Sequence, residues 1–294
     1  MARSYELRLV DGFKKMRMHE GVILGPGDDC AVMASVDPKK EQLVFGGDML
    51  VQNVHFDLSK VTYAQIGHKA VARTLSDIAA MGARPLYLGF SLALPKEQRR
   101  YVPQIKKGAL ALLDRFSCSL VGGDLSRADA VICDTWCVGA VAKDAYVRRN
   151  TMRTGDAVFV SGKLGGSYVS GRHMTFVPRI DEARLLCSLS MPTAMIDITD
   201  GFVWDLWRMI DGTSCGIALE ASSIPVHTGV TLDQALYDGE DYELLFTAPQ
   251  KDRTILEKKG FFFVGTVTEK KRCIELIEGR TRKRLHVRGY TSIG

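Results

Sequence analysis

Aspartates in one recurring setting are the residues of this chain whose type and spacing could do chemistry. Each lies beside a glycine or another small residue, usually just before or after an apolar run. The instances are Gly27-Asp28-Asp29, Gly47-Asp48, Ser76-Asp77, Gly122-Gly123-Asp124, Asp197-Ile198-Thr199-Asp200-Gly201 and Asp238-Gly239-Glu240-Asp241. One such pair is typical of a β-turn or a helix cap. The whole set indicates carboxylates that converge at strand ends, where their mutual repulsion requires cations between them.

The ligand chemistry of this set favours magnesium and phosphate. Carboxylate oxygens are hard ligands, and Mg²⁺ held by one or two of them keeps positions for water and for phosphate oxygens. In such a site the protein mainly aligns donor and acceptor and neutralises charge on the transferring phosphoryl group, so several aspartates and an occasional arginine suffice. The aspartates therefore predict nucleotide handling through bridging metal ions.

The common motifs of nucleotide-binding and hydrolytic enzymes are missing from the sequence. The segment nearest to a Walker loop, residues 166–173, lacks both the lysine and the Ser or Thr that follows it. No G-x-G-x-x-G fingerprint, H-E-x-x-H helix or G-x-S-x-G elbow is present. This argues against the usual dinucleotide-binding, zinc-protease and esterase interpretations.

Alternating helix and strand patterns predict the elements that must position the aspartates, and the fold class is α/β. A first domain over residues 1–142 is expected to contain an extended run at 42–45, helices over 63–81 and 98–116, and strands over 86–94 and 130–142. The polar, basic stretch 143–156 is the best linker candidate. A strand that begins at Ala157 opens a second α/β domain over residues 143–294.

Composition excludes several classes of protein. The chain has 294 residues, 46% hydrophobic and 25% charged, which excludes disordered, collagen-like and coiled-coil proteins. No apolar run approaches the roughly 18 residues that span a bilayer, and no apolar signal region follows Met1, so we expect a cytoplasmic protein with no membrane partner. Seven scattered cysteines without a C-x-x-C pair predict reduced, buried thiols.

The basic charge balance raises the question of an anionic partner. The net charge is +5, and eight Lys and Arg stand against three Glu between residues 269 and 294. These charges alternate with Ile274, Leu276, Leu285 and Val287, which is typical of a hairpin with one solvent-exposed face. We therefore expect no nucleic-acid partner.

Taken in order, the aspartate segments resemble the motifs of the thiamine-monophosphate kinase family. This family belongs to the superfamily that also holds aminoimidazole ribonucleotide synthetase and selenophosphate synthetase. Residues 25–31 resemble the opening glycine-aspartate loop, residues 48–56 the second motif and residues 69–83 the long helix. The remaining matches, in family order and at family-like spacing, are Gly122-Gly123-Asp124, Asp197 to Gly201 and residues 239–246. The resemblance covers nearly the whole chain.

The resemblance implies a fold, an assembly and an activity. The fold is that of aminoimidazole ribonucleotide synthetase, with an N-terminal mixed-sheet domain that binds ATP and magnesium and a C-terminal α/β domain. The implied assembly is a homodimer formed through N-terminal strands, with ATP near the dimer interface. The implied activity is direct transfer of the γ-phosphoryl group of ATP to thiamine monophosphate, giving thiamine diphosphate, with several Mg²⁺ ions as cofactors.

The matching motifs also imply roles for individual residues. The implied metal ligands are Asp29, Asp48, Asp77, Asp124, Asp197 and Asp200, and Asp28 shapes the first loop. The implied nucleotide contacts are Gly123, Asp124, Arg149 and Thr199. The implied contacts to the thiamine substrate are His55, Glu240 and Ile293. No catalytic side chain is implied beyond the metal ligands.

Each role has a structural alternative that the sequence leaves open. Asp77 lies four residues after Arg73 on the predicted helix and could form a surface ion pair with it. His55 could be a core histidine bonded to backbone. Two other residues could be solvated surface charges: Arg149 and Glu240. The aspartates beside glycines could form turns or cap helices: Asp28, Asp29, Asp197 and Asp200.

The sequence departs from the family pattern at three places. Gly46-Gly47 stands where the family usually has Ser-Thr, the segment between Gly162 and Asp197 is shorter, and Ile293 stands near a position where an aromatic commonly packs on the thiamine end. Two alternatives to the kinase therefore stay open. One is a sister ATP-dependent enzyme with another acceptor, and the other is a non-catalytic protein that binds a nucleotide or a thiamine phosphate.

Overall fold

The computed structural model describes residues 16–24 and 30–290 of the chain. Asp28, Asp29 and Ile293 lie outside the described residues, so the predictions for them stay predictions. The chain divides into two compact units. Unit 1 comprises residues 1–78 and 84–144, and unit 2 comprises residues 79–83 and 145–294. The assignment of separate roles to two domains stays a prediction.

Unit 1 is built on a mixed sheet of five strands. Its strands are β3 (Glu41–Val51), β4 (Arg84–Leu94), β5 (Ser119–Gly122), β6 (Leu125–Arg127) and β7 (Ile132–Ala142). The order is β3-β7-β4-β5, with β6 also paired to β4. Strand β7 is antiparallel to both β3 and β4, whereas β5 and β6 run parallel to β4. A separate antiparallel pair joins β1 (Val22–Leu24) to β2 (Val32–Met33).

Two helices belong to this sheet: α1 (Tyr63–Ala80) and α2 (Val102–Arg115). A capping box starts α1, because the Thr62 hydroxyl accepts from the Gln65 N–H at 3.3 Å while Gln65 Oε1 accepts from the Thr62 N–H at 2.8 Å. The two helices approach closely, since a Cβ added to Gly67 of α1 would lie 1.9 Å from the carbonyl oxygen of Ile105. Strand β4 and helix α1 follow the predicted ranges.

Unit 2 is built on a sheet of seven strands. They are β8 (Ala157–Val160), β9 (Ala194–Asp197), β10 (Gly216–Glu220), β11 (Leu244–Ala248), β12 (Phe262–Thr268), β13 (Ile274–Glu278) and β14 (Thr281–Arg284). The order is β14-β13-β10-β12-β8-β11-β9, and all pairs are antiparallel except β10 with β13. The helices are α3 (Ser167–Ser170), α4 (Ile180–Ser188), α5 (Phe202–Ile210), α6 (Leu232–Tyr237) and α7 (Arg253–Lys258).

The core of unit 2 forms around α5. Phe202, Leu206 and Met209 of this helix are fully buried in a cluster that includes Val160 and Leu245 of the sheet. All four residues of β9 are buried, so this strand delivers its last residue, Asp197, to the end of the sheet beside the start of α5. The aspartate segment 197–201 is thus positioned by a buried strand and a buried helix.

The α/β fold class is confirmed, and three details of the expectation are corrected. The helix expected from residue 98 begins at Val102, after a 3-10 turn, with a proline in its first turn. The run at 42–45 is the middle of the longer strand β3. All seven cysteines are free, but Cys30, between β1 and β2, is exposed and Cys187 and Cys273 are only partly buried, so the expectation of buried thiols holds for four of them. Within the described ranges, no helix is long and apolar enough to cross a membrane.

Candidate functional site

In unit 1, Asp48 and Asp77 lie on the side of β3 that α1 covers. A Cβ added to Gly46 would lie 4.0 Å from Oδ2 of Asp77, and Asp48 shares the face of Gly46 because it is two residues further along the strand. Arg73 of α1 places Nη2 3.3 Å from Asp48 Oδ1 and donates from Nη1 to the carbonyl of Met49 at 2.7 Å. The guanidinium of Arg73 is therefore bound to β3.

Asp124 lies in the short loop between β5 and β6, which both pair with β4. A Cβ added to Gly123 would lie 1.8 Å from the carbonyl oxygen of Phe90, and Gly123 has a φ of +151°, so only glycine fits there. The Asp124 carbonyl accepts from the Leu92 N–H at 2.8 Å. The backbone of the loop is fixed, whereas the Asp124 side chain is exposed.

A small apolar cleft, with a cavity volume of about 30 Å³, lies beside this loop. It is lined by residues of β4, β5, β6 and α2: Phe90, Leu92, Val102, Ile105, Lys106, Ala109, Leu120 and Leu125. Leu125 directly follows Asp124, so the backbone of Asp124 lies next to the cleft. Burial lowers the pKa of Lys106, the one cation in the lining.

His55 is bound to backbone through one ring nitrogen. Its Nδ1 accepts from the Val51 N–H at 3.0 Å, which places the proton of the neutral ring on Nε2. The His55 carbonyl accepts from Nζ of the fully buried Lys69 at 2.9 Å. The loop that carries His55 is thus held by helix α1, and the substrate role of the ring stays a prediction.

In unit 2, the segment after β9 is held by an acid that the sequence analysis missed. Asp205 Oδ2 accepts from the N–H groups of Thr199 at 2.9 Å and Asp200 at 3.1 Å. Burial, together with the charges of Asp197 and Asp200, raises the pKa of Asp205 to about 7. The signal available in the sequence was an acidic residue on the buried side of the apolar helix α5.

The capping alternative for this segment is wrong. The cap position of α5 is Gly201, with a φ of +123°, and no side chain caps the helix. Asp197 and Asp200 are therefore not an N-cap pair. Arg208 Nη1 lies 3.6 Å from Asp200 Oδ2 and balances part of its charge.

Two backbone hydrogen bonds join the loop of Glu240 to the loop of Thr199. The Glu240 N–H donates to the Thr199 carbonyl at 2.7 Å, and the Tyr242 N–H donates to the Ile198 carbonyl at 2.8 Å. Glu240 and Tyr242 have left-handed φ values of +67° and +52°, which non-glycine residues rarely adopt. The structure thus brings two of the predicted site residues, Thr199 and Glu240, into one pair of loops.

A third loop is hydrogen-bonded to the acidic segment that contains Glu240. Asp241 Oδ2 accepts from the Gly165 N–H at 2.9 Å, and Oδ1 accepts from Arg172 Nη2 at 3.0 Å. Burial raises the pKa of Asp241 to about 7, although the Gly165 N–H and Arg172 act in the opposite direction. Glu243 receives two hydrogen bonds from Arg179, from Nε at 2.7 Å and from Nη2 at 2.6 Å.

The C-terminal segment reaches this site as well. The Tyr290 N–H donates to the Asp200 carbonyl at 3.0 Å, and a Cβ added to Gly289 would lie 2.6 Å from Cβ of Trp204. Tyr290 therefore lies against the Asp200 loop three residues before Ile293.

Arg149 is exposed, and its side chain makes no ion pair or hydrogen bond with the described part of the chain. The preceding residue is fixed, because the Arg148 carbonyl accepts from the Met195 N–H of β9 at 3.2 Å. Arg149 thus follows an anchored residue, and both its predicted phosphate contact and a solvated charge remain compatible with this position.

The metal site itself is not assembled by the described residues alone. Among residues 16–24 and 30–290, no group of three or more His, Cys, Asp or Glu side chains is arranged to hold a metal ion. Asp48, Asp77 and Asp124 lie in unit 1, and Asp197 and Asp200 lie in unit 2. Their roles as ligands stay predictions.

Comparison with known proteins gives consistent results. Residues 27–141 match the family described as AIR synthase related protein, N-terminal domain. Thiamine-monophosphate kinase of Rhodopirellula baltica is 35% identical over 252 residues, which cover 80% of this chain and 79% of the relative.

Two solved structures extend the likeness to the fold. Thiamine-monophosphate kinase from Stenotrophomonas maltophilia K279a matches with a TM-score of 0.80 at 26% identity, over 94% of this chain and 96% of that chain. AaThiL complexed with AMPPCP and TMP matches with a TM-score of 0.73 at 26% identity, over 97% and 99%. The fold that the sequence resemblance implied is confirmed.

Proposed function

Because the chain belongs to the thiamine-monophosphate kinase family, we propose that it transfers the γ-phosphoryl group of ATP to thiamine monophosphate. A phosphate oxygen of thiamine monophosphate forms a bond to the γ-phosphorus while the bond between that phosphorus and the bridging oxygen of ADP breaks. The products are thiamine diphosphate and ADP. The observation that carries the proposal is the 35% identity over about four fifths of both chains.

The apolar walls of the unit 1 cleft match the faces of a nucleotide base in character, although the cleft itself, at about 30 Å³, is too small to enclose one. A purine base is flat and largely apolar on its faces, and pockets for such ligands are mostly apolar with few polar groups. Leu92, Leu120 and Leu125 supply apolar walls, and Asp124 stands directly beside Leu125. A base resting against these walls would leave the phosphates near Gly123 and Asp124, the predicted nucleotide contacts. We assign Arg149 and Thr199 to the phosphates on the resemblance alone.

The aspartates fit magnesium by their donor chemistry. Carboxylate oxygens are the ligands that Mg²⁺ takes in nucleotide sites. In unit 2, burial and then the charges of Asp197 and Asp200 raise the pKa of Asp205, so three carboxylates lie close together and a divalent cation would relieve their repulsion. Mg²⁺ held by Asp48, Asp77 and Asp124, or by Asp197 and Asp200, would neutralise charge on the phosphates.

The chain's own residues hold these carboxylates in place. Arg73 ties Asp48 to the covering helix, and Asp205 holds the backbone of Thr199 and Asp200. Such preorganisation fixes charge where it is needed without reorganisation during the transfer. Glu240 and His55 are assigned to the thiamine end, where a carboxylate would pair with the cationic ring.

We assign the outer face of β3 to a dimer interface. Leu43, Phe45 and Met49 are exposed on this edge strand, and Phe45 lies 6.4 Å from the ring of Trp136. Apolar patches of this kind mark protein interfaces, and a second copy of the chain is the partner that the resemblance implies. Phe45→Glu is expected to give a monomer in sedimentation, and an unchanged dimer would contradict the assignment.

The function is tested by turnover with Mg-ATP and three conditions: thiamine monophosphate, free thiamine, and no acceptor. We expect product with thiamine monophosphate only. ATP binding without turnover would instead favour a non-catalytic protein, a candidate that Gly46-Gly47 supports because both family hydroxyls are missing there. ADP formation with another acceptor would favour a sister enzyme.

A further inference from the structure

His173 contacts the side chain of Glu240 in unit 2. Its Nδ1 is 3.3 Å from Glu240 Oε2, and its ring lies 4.6 Å from the ring of Tyr168. The His173 side chain is 5% exposed, whereas Glu240 is 21% exposed. The histidine is thus enclosed by the protein while the carboxylate that it contacts reaches solvent.

The backbone of Glu240 is already fixed by other contacts. Its N–H donates to the Thr199 carbonyl at 2.7 Å, and a Cβ added to the preceding Gly239 would lie 2.5 Å from the same carbonyl oxygen. The left-handed φ of +67° directs the side chain away from the path of an extended strand. The side-chain carboxylate of Glu240 is the group that His173 contacts.

The turn that carries His173 is fixed in the same way. The neighbouring Arg172 donates to Asp241 Oδ1 at 3.0 Å and to the Gly165 carbonyl at 3.1 Å. Arg172 and His173 therefore contact Asp241 and Glu240 in succession, so two consecutive residues of one segment bind two consecutive acids of the other. Because both backbones are held, the ring nitrogen approaches the carboxylate from a set direction.

We propose that His173 is a positioning residue for recognition of the thiamine substrate. It donates Nδ1–H to Glu240 Oε2 and so holds the carboxylate that would contact the cationic ring of the substrate. A hydrogen bond to an ionised carboxylate is stronger than one between neutral groups, and it removes rotamer freedom before the substrate arrives. The inference rests on the proposed function, in which Glu240 contacts the thiamine end.

Two substitutions separate positioning from simple packing. His173→Asn keeps an N–H donor near the place of Nδ1 but loses the ring, whereas His173→Phe keeps the ring against Tyr168 but loses the donor. Positioning predicts that His173→Phe raises KM for thiamine monophosphate roughly tenfold and leaves KM for ATP within about twofold, while His173→Asn stays within about threefold of the wild type. Packing alone predicts the reverse order, and that order would overturn the proposal.

The matched control is His286→Phe, which changes an exposed histidine outside the site in the same way. We expect this variant to keep both KM values. Wild-type turnover is measured in the same series, so the two claims fail separately. A wild type that turns over with the variants in reverse order overturns only the role of His173, whereas a wild type that neither binds nor converts thiamine monophosphate overturns both claims.

Nitrogen NMR of isotope-labelled histidine tests the contact without any activity. We expect the proton of the His173 ring on Nδ1 and a shift of that signal in Glu240→Ala. A ring protonated only on Nε2, or a signal that Glu240→Ala leaves in place, would overturn the proposal.

Discussion

The carboxylates of the two units are held in different ways. In unit 1, Asp124 is exposed and Asp48 keeps 27% of its side chain in contact with solvent, with Arg73 as its cationic partner. In unit 2, the side chains of Asp205 and Asp241 are 0% exposed and accept hydrogen bonds from backbone N–H groups and arginines. The first arrangement leaves carboxylate oxygens available to a ligand, and the second uses them to bind loops together.

Acidic side chains therefore have two different roles in this chain. Exposed aspartates on fixed loops contribute little to folding, so their loss should cost activity. Buried acids with several partners hold Thr199 and Glu240 in place, so their loss should cost stability before it costs any single catalytic step. The first three predictions below test this division, and the fourth concerns the two glycines that precede Asp48.

Asp124→Asn should have the largest effect on activity. A lost carboxylate beside the cleft misplaces charge at the transferring phosphoryl group, so we expect kcat to fall by about 100-fold or more. Because the side chain is exposed and the Asp124 backbone carbonyl keeps its bond to Leu92, Tm should change little. Steady-state kinetics and thermal melts check this, and a lower Tm with unchanged turnover would contradict it.

Arg179→Met should have the largest effect on stability. It leaves the Glu243 carboxylate, 10% exposed, without its two-point partner. Since Arg179 itself is 33% exposed, we expect a loss of about 2–3 kcal/mol in the free energy of unfolding, below the range for fully buried pairs. Urea denaturation measures this. Arg272→Met is the control, because its pair with Asp211 is over half exposed and should contribute under about 1 kcal/mol.

Asp241 should make stability depend on pH. Burial raises its pKa from 3.8 to about 7, so the folded state holds a proton that the unfolded chain has already released. The free energy of unfolding should therefore fall by about 2 kcal/mol between pH 5 and pH 7 in the wild type relative to Asp241→Asn. Urea denaturation at both pH values checks this. Parallel pH dependence of the two proteins would mean that Arg172 keeps the carboxylate ionised throughout.

The smallest effects are expected at the two glycines of β3. A Cβ added to Gly47 would lie 2.9 Å from the Thr135 carbonyl oxygen, whereas one added to Gly46 meets nothing nearer than 3.8 Å. Gly47→Thr should therefore lower the free energy of unfolding by about 1–2 kcal/mol, and Gly46→Ser should be nearly neutral. Equal effects in urea denaturation would show that the strand shifts to admit both side chains.

The elements of the fold were predictable where the apolar pattern was long and regular. Helix α1 and strands β4 and β7 follow the ranges expected from periodicity, since one face of each is buried. The exposed Cys30 was missed because burial depends on what covers a residue, and composition does not report that. The hairpin of β13 and β14 was predicted because Ile274 and Leu276 alternate with charges and are buried.

The site was only partly predictable. The aspartate motifs marked the loops, because turn-forming residues beside carboxylates leave a local signal. The contacts that set the loops left none: the bond from Glu240 to Thr199 and the contact between His173 and Glu240 join segments far apart in the chain. The cleft beside Asp124 likewise takes its lining from four elements.

The central claim is that the γ-phosphoryl group of ATP passes directly to thiamine monophosphate. The most direct measurement uses ATP radiolabelled at the γ-phosphorus and follows the label with thiamine monophosphate present. The account predicts that the label appears in thiamine diphosphate in step with ADP formation. Label found only in inorganic phosphate, or in another acceptor, would contradict it.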